Sequence, residues 1–189
     1  MPRPKLHSDE TILAAAEQVL LTRGPSNFTL SDVANAVGIS RAALIQRFTD
    51  KATLHLKVME RSTQEVRDYF AAAPKDTGLA PLWALLKDLI EGMGAGDGFA
   101  GYLLLEWSDV VDDRLNALAR ERSRMVSDAI LDRLPAAPHD PRTAAGLVQS
   151  VIQGATMQWL IDKQGPLNTF VIDRTRNLLQ ILYPDHAFD

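Results

Sequence analysis

Cysteine is absent from this chain of 189 residues. Its absence excludes disulfide bonds, thiolate zinc sites, iron–sulfur clusters and cysteine nucleophiles. An uncharged apolar run of about 18 residues, the length of a membrane-spanning helix, is also missing, since the apolar stretch 99–105 ends at Glu106. The basic residues Arg3 and Lys5 are not followed by an apolar segment, so no signal peptide is expected. These absences predict a cytoplasmic protein.

The residue patterns of enzymes and of cofactor sites are missing as well. The four histidines lie in separate segments, and none has a second ligand at H-x-x-x-H spacing. There is no G-x-S-x-G elbow and no phosphate-binding P-loop. Residues 96–101 match G-x-G-x-x-G, but that fingerprint requires a preceding strand and here follows a predicted helix. We interpret it as a flexible link, and expect no enzyme, no metal and no cofactor.

Apolar residues make up 46% of the chain and charged residues 23%, which is ordinary for a folded globular protein. The net charge of −4 is unevenly distributed, because residues 1–61 carry a net +2 and residues 62–189 a net −6. This asymmetry suggests a small basic module, suited to nucleic acid, attached to an acidic body.

Helical periodicity continues through almost the whole chain, and no segment alternates as a strand would. Ser8 and Asp50 are predicted to cap helices, and Thr29 with Asp32 has the form of a capping box. The fold class is therefore predicted to be all-α. The predicted helices follow Ser8, Thr29, Ser40 and Asp50, and then cover 79–93, 100–111, 115–134, 142–163 and 169–182.

Residues 30–48 have the pattern of a helix-turn-helix, in which two helices are joined by a short turn containing glycine, here Gly38. The second helix of this motif lies in the DNA major groove, so its outward residues must be small or able to form hydrogen bonds. Leu44 and Phe48 are predicted to face inward. The outward set is Arg41, Ala42, Ala43, Ile45, Gln46 and Arg47.

The segment from Ile12 to Leu54 resembles the N-terminal domain of the TetR family of repressors. The resemblance is carried by ILAAA at 12–16, Gly24, FTLSDVA at 28–34, VGISRAAL at 37–44, Phe48 and Lys51. It implies a helix-turn-helix DNA-binding domain at 1–52 and an effector-binding, dimerising helical bundle at 53–189. The implied function is a homodimeric transcriptional regulator, most often a repressor, which a small molecule releases from a palindromic operator.

The same resemblance assigns the residues that contact DNA. Thr29 and Lys51 match positions that hold the phosphate backbone. Position 45 is usually an aromatic residue, and Ile45 here leaves that contact open or meets a thymine methyl group. Whether Arg41 and Arg47 read guanine or only touch phosphate stays open at this point. The full candidate set is Thr29, Ser40, Arg41, Ala42, Ala43, Ile45, Gln46, Arg47 and Lys51.

The first residues carry two basic side chains, Arg3 and Lys5, between prolines. They form either an arm that enters the minor groove or a tail without a role.

Apolar, aromatic and a few polar residues of the body are candidates for an effector cavity, as the resemblance implies, although such residues are also ordinary core. Glu106 stands out, because a carboxylate in an apolar segment is costly unless it is paired or solvated. It could meet a cationic or hydroxylated ligand, or cap a helix. The candidates are Trp83, Leu86, Met93, Tyr102, Leu103, Glu106, Trp107, Met125, Gln153 and Met157.

Three further expectations concern the body. The last two helices have wide apolar faces, and Gly146 and Gly154 would permit close approach in a four-helix dimer interface, which the resemblance implies. The charged residues of 115–134 are expected on a solvated face. The acidic cluster at 109–113 is expected to cap a helix or to face solvent.

Two rival functions remain. One is an effector-binding or protein-interaction module with a degenerate DNA-binding head, which Ile45 leaves open. The other is an enzyme, which the missing catalytic patterns disfavour.

Overall fold

The computed structural model describes residues 7–189, and this part of the chain contains helices and no strands. The predicted all-α fold class is confirmed. The helices are α1 (Asp9–Arg23), α2 (Leu30–Val37), α3 (Arg41–Phe48), α4 (Lys51–Ala72), α5 (Leu79–Glu91), α6 (Phe99–Asp109), α7 (Asp113–Leu131), α8 (Pro141–Ile161) and α9 (Leu167–Leu182).

The first helices begin at the predicted capping residues. The Ser8 side chain accepts a hydrogen bond from the backbone N–H of Thr11, and Thr29 and Asp32 form the full capping box of α2. The Thr53 N–H donates to Asp50 Oδ1 over 2.7 Å at the start of α4. Because each cap satisfies backbone donors that a helix end leaves open, these short polar residues determine where the helices start.

The described residues form two compact units, each composed of segments that are separate in sequence. One unit contains the residues up to Arg67 together with 98–122, and the other contains 68–97 together with 123–189. The first unit thus includes α6 and the first half of α7 in addition to the helix-turn-helix. The division of functions after residue 52 stays a prediction.

The core of the first unit extends from the helix-turn-helix into α6 and α7. Leu105 of α6 and Leu115 of α7 are buried in the same hydrophobic cluster as Ile12, Leu44 and Leu54. Gly101 permits this packing, since a Cβ atom there would lie 1.8 Å from the backbone oxygen of Leu21 in α1. Only a glycine allows α6 to approach α1 so closely.

The second unit has its own core, where α5 packs with α7, α8 and α9 around the fully buried Leu82, Ile130 and Leu179. The glycine-rich stretch before α6 is attached to this unit, because the N–H groups of Leu167 and Asn168 donate to the backbone oxygens of Ala95 and Gly94. No helix within residues 7–189 has both the length and the apolar character needed to cross a membrane.

Candidate nucleic-acid interface

Helix α3 is held on the first unit by its two inward side chains. Leu44 is fully buried and Phe48 is buried, one turn apart on the same face. The turn before α3 depends on Gly38, whose φ of 70° lies in the left-handed region that glycine adopts without strain. Ser40 then caps α3 by accepting the Ala43 N–H. One face of α3 is therefore fixed, and the other is left to solvent.

The free flank of α3 combines small and polar side chains. Arg41, Ala42 and Gln46 are exposed, and so is Ser40. The side chains of Arg41 and Gln46 make no hydrogen bond or ion pair with any residue in the range 7–189. Their donors and acceptors are consequently available to another molecule.

Ile45 and Ala43 lie at the edge of this flank. Both are half-buried, and Ile45 packs against the hydrophobic cluster of the first unit. The sequence placed both residues among the outward set. In the structure part of the Ile45 side chain is buried against this cluster by the hydrophobic effect. The rest is exposed, so its contact with DNA stays a prediction.

The Arg47 side chain forms contacts within the protein. Its Nη1 donates to the backbone oxygen of His7 over 2.7 Å and lies 3.4 Å from Asp9 Oδ1. Only 19% of the side chain is exposed. Arg47 thereby connects the end of α3 to the start of α1, which the sequence did not reveal because the partners are some 40 residues apart.

Lys51 and Thr29 also have partners within the first unit. The Lys51 Nζ donates to the backbone oxygen of Ser26 over 3.0 Å and lies 4.6 Å above the centre of the Phe28 ring. The Thr29 hydroxyl donates to Asp32 Oδ2 over 2.8 Å. Thr29 is exposed and Lys51 is half-buried. The proposed arm with Arg3 and Lys5 lies outside the described residues.

Residues 12–58 match a family model described as bacterial regulatory proteins of the tetR family. They cover the helix-turn-helix and the first turns of α4, which carry the free flank described above. The match is to this domain, so residues 12–58 are similar to the DNA-binding domain of the TetR family.

Curated regulators match about half of the chain. The chain is 30% identical over 96 residues to the HTH-type transcriptional repressor BepR of Brucella suis, a match that covers 49% of this chain and 46% of BepR. This chain spans less than half the length of the curated relatives it matches.

Solved structures share the fold along most of the chain. A TetR-family regulator from Agrobacterium tumefaciens superimposes with a TM-score of 0.74 at 22% identity, covering 90% of this chain and 95% of that one. The multidrug binding protein EbrR, solved with imidazole, gives a TM-score of 0.65 at 18% identity, with 94% of each chain covered. At identities of 22% and 18%, these superpositions show a shared fold alone.

The predicted effector residues are divided between the two units. Trp83 and Leu86 are buried in the core of the second unit, Met93 and Met125 are half-buried, and Gln153 and Met157 are exposed. The other four are on α6 in the first unit. Of these, Trp107 and Tyr102 are exposed, and Leu103 and Glu106 are half-buried.

Glu106 belongs to a polar cluster that the sequence did not predict. Arg122 of α7, expected on a solvated face, is buried. Its Nη2 donates to Asp109 Oδ2 over 2.6 Å and lies 3.5 Å from Glu106 Oε1. Its Nη1 donates to the Thr63 hydroxyl of α4 over 3.0 Å. No local signal marks this burial, because Arg122 lies in a charged run and its partners come from other helices.

Asp109 is fully buried, so the expectation that it caps a helix or faces solvent is wrong. Burial raises the pKa of its carboxyl group to about 6, although Arg122 opposes the change. The expected capping role belongs instead to Asp112, whose Oδ1 accepts the N–H groups of Arg114 and Leu115 at the start of α7. Hydrogen bonds from Arg114 hold the pKa of Asp112 at about 2.

Arg133 is the second arginine that the sequence placed in solvent and the structure buries. It donates to the backbone oxygen of Ala129 over 2.7 Å and to that of Pro74. The guanidinium satisfies carbonyl groups where the loop before α5 meets the end of α7. Arg133 is thus a structural residue of the second unit.

Proposed function

We propose that this protein is a DNA-binding transcriptional regulator, and more specifically a repressor that a small molecule releases from its operator. The observation that carries the proposal is the flank of α3, where Arg41 and Gln46 are exposed and unpartnered within the described chain. The fold of the TetR-type helix-turn-helix presents this flank on a rigid support.

The chemistry of the flank suits the major groove. An arginine can donate two hydrogen bonds to O6 and N7 of guanine, and a glutamine can pair with N6 and N7 of adenine. Ala42 is small, which lets the helix backbone approach the base edges. Ser40 and Thr29 lie at the N-terminal ends of α3 and α2, where backbone N–H groups and the helix dipole favour a phosphate.

A homodimer is proposed from the apolar residues that remain exposed on the last two helices. Leu147, Met157 and Ile161 of α8 and Ile181 of α9 are large, apolar and exposed. Beside them, a Cβ atom at Gly146 or Gly154 would meet nothing within 4 Å. Such a patch is typical of a protein interface. A twofold dimer carries two α3 helices, so we expect an inverted-repeat operator whose half-sites are one helical turn, or a multiple, apart.

We also propose that a small-molecule effector releases the protein from its operator. EbrR shares this fold and is a multidrug binding protein, and BepR is a repressor. An effector can shift the protein away from DNA only if it binds better to the form that fits the operator poorly. We place this regulation in the cytoplasm, where bacterial DNA is found.

Selection from a pool of random-sequence duplexes tests the proposal. The full-length protein is expected to enrich an inverted repeat, with two protomers bound per site as measured by light scattering of the complex. If no sequence is enriched at low salt, the protein does not read DNA, and the rival function of a module with a degenerate head is favoured.

A further inference from the structure

Three polar residues form a stripe along α6. Tyr102, Glu106 and Asp109 are four and three residues apart, which places them on the same face of the helix. The Tyr102 hydroxyl donates to Glu106 Oε1 over 3.1 Å. Arg122 from α7 and Thr63 from α4 complete the cluster. We call these five residues the α6 carboxylate cluster.

The α6 carboxylate cluster has more negative than positive charge. It contains two carboxylates, those of Glu106 and Asp109, and one guanidinium, that of Arg122. The Thr63 hydroxyl adds no free donor, because its hydrogen is given to the backbone oxygen of Met59 over 2.8 Å. One negative charge is therefore left without a counter-charge in the cluster.

One oxygen in the cluster also lacks a hydrogen bond. Asp109 is fully buried, and its Oδ1 has no partner among the described residues, whereas Oδ2 is held by Arg122. Leaving a buried acceptor on a charged group unpaired is costly, and native structures rarely do so without a reason. The cluster thus lacks one N–H donor, at Asp109 Oδ1, and one positive charge.

We propose that the α6 carboxylate cluster recognises an organic cation carrying an N–H donor, such as a primary amine, and that this is the chemical class of the effector. The amine donates to Asp109 Oδ1 and balances the surplus charge of Glu106. The proposal rests on the proposed function, since it specifies the ligand of the same regulator.

The surroundings favour an amine with an aromatic or alkyl group. Glu106, whose side chain is 41% exposed, is the carboxylate of the cluster that solvent reaches. Asp109, one turn further along the helix, is fully buried, so the amine reaches its Oδ1 only when neighbouring side chains move aside. The rings of Tyr102 and Phe99 lie 5.5 Å apart and offer apolar and π surface at the start of the stripe. The N–H requirement separates this site from an aromatic cage, which binds quaternary ammonium ions without a hydrogen bond.

Calorimetric titration of the full-length protein with 2-phenylethylamine tests the proposal. The neutral 2-phenylethanol, the anionic 3-phenylpropanoate and the trimethylated quaternary amine serve as matched probes. We expect saturable binding of the primary amine and binding at least about tenfold weaker for the other three, since a hydrogen bond to a charged group contributes about that factor or more.

Substitutions in the α6 carboxylate cluster test whether the amine binds there. Asp109→Asn and Glu106→Gln are each expected to weaken amine binding by about 10- to 100-fold, whereas Asp113→Asn, which removes one negative charge from an exposed position at the start of α7, leaves it unchanged. Glu106→Gln keeps the test decisive if Asp109→Asn impairs folding, because Glu106 is half-exposed. Equal affinity in wild type, Glu106→Gln and Asp109→Asn would overturn the proposal, as would absence of binding or equal binding of all four probes.

The DNA selection described above separates the two proposals. If operator binding is found but the amine does not bind, the cation proposal alone is wrong. If the amine binds with the expected dependence on the variants but no DNA is enriched, the cation site stands and the regulator function is wrong. If both are found, the amine should also dissociate the wild-type complex, and retention of DNA at saturating amine would overturn its role as effector.

Discussion

At the scale of single residues, two arginines of the same helix have different environments. Arg41 lies at the start of α3 with no partner in the described chain. Arg47, near its end, is bonded to the backbone of His7 and lies close to Asp9. Residue type alone therefore does not decide which arginine reads DNA. From these contacts we propose base recognition for Arg41 and a positioning role for Arg47.

The different environments predict that one substitution weakens DNA binding and the other lowers folding stability. Arg41→Ala is expected to weaken binding to the selected operator by about 1–3 kcal/mol with unchanged folding stability, because a free base-reading side chain is lost. Arg47→Ala is expected to lower the free energy of unfolding by about 1 kcal/mol, because a partly buried charged hydrogen bond is lost. Fluorescence anisotropy and urea denaturation measure the two quantities. Stability loss in Arg41→Ala with normal DNA binding would contradict the assignment.

Asp109 gives a prediction about pH. Its pKa in the folded protein is raised by burial to about 6 from an ordinary value of 3.8, with Glu106 and Asp112 adding to the increase and Arg122 opposing it. Between these two values the folded state binds the proton more tightly than the unfolded state. The free energy of unfolding should therefore decrease as the pH rises through this window.

The matched comparison is Asp109→Asn, which cannot titrate at this position. From pH 4 to pH 7 the stability of the wild type, relative to the variant, should decline by no more than about 3 kcal/mol. Urea denaturation at several pH values provides the measurement. Parallel profiles for the two proteins would show that the carboxyl group titrates normally.

At the scale of helices, the close contact between α6 and α1 depends on Gly101, which has no side chain. By helix propensity alone, Gly101→Ala should stabilise α6 by about 1 kcal/mol. Its Cβ would, however, lie 1.8 Å from the Leu21 backbone oxygen, so we expect net destabilisation of about 1–3 kcal/mol. Ala100→Gly, at the exposed neighbouring position, reports the propensity effect alone. Increased stability of Gly101→Ala in thermal unfolding would mean that α6 and α1 are not packed in this way.

The boundaries and inward faces of the helices were largely predictable from sequence. Capping residues are local signals, so Ser8, Thr29 and Asp50 indicated helix starts that the structure shows. The burial of Leu44 and Phe48 likewise followed from periodicity. These features depend on neighbours within a few residues along the chain.

The polar contacts between helices were not predictable in the same way. Arg122 and Arg133 lie in a charged segment that suggests solvent, yet both are buried by partners from other helices. The engagement of Arg47 by His7 is similarly a contact between distant parts of the chain. A sequence pattern indicates which face of a helix is apolar, but not which long polar side chain finds a partner on a neighbouring helix.

At the scale of the whole molecule, two copies of the chain are needed to place two α3 helices on an inverted repeat. Ile161→Asp places a charge on the proposed dimer face, where the isoleucine is 85% exposed in the single chain. We expect the variant to be monomeric by light scattering at micromolar concentration and to bind the operator more weakly, since burying an unpaired charge is costly. Val111→Asp, at an 83% exposed valine beyond α6, is the matched control. A dimeric Ile161→Asp, or dissociation by both changes, would contradict the proposed interface.

We propose that the free flank of α3 reads base edges in the major groove. Replacing the purines of the selected operator, one at a time, by their 7-deaza analogues removes the N7 acceptor from that groove and leaves the phosphates unchanged. We predict that binding weakens at one or more symmetric positions in both half-sites, and that Arg41→Ala or Gln46→Ala abolishes the effect at the position each residue reads. Undiminished binding at every substituted purine would contradict the claim.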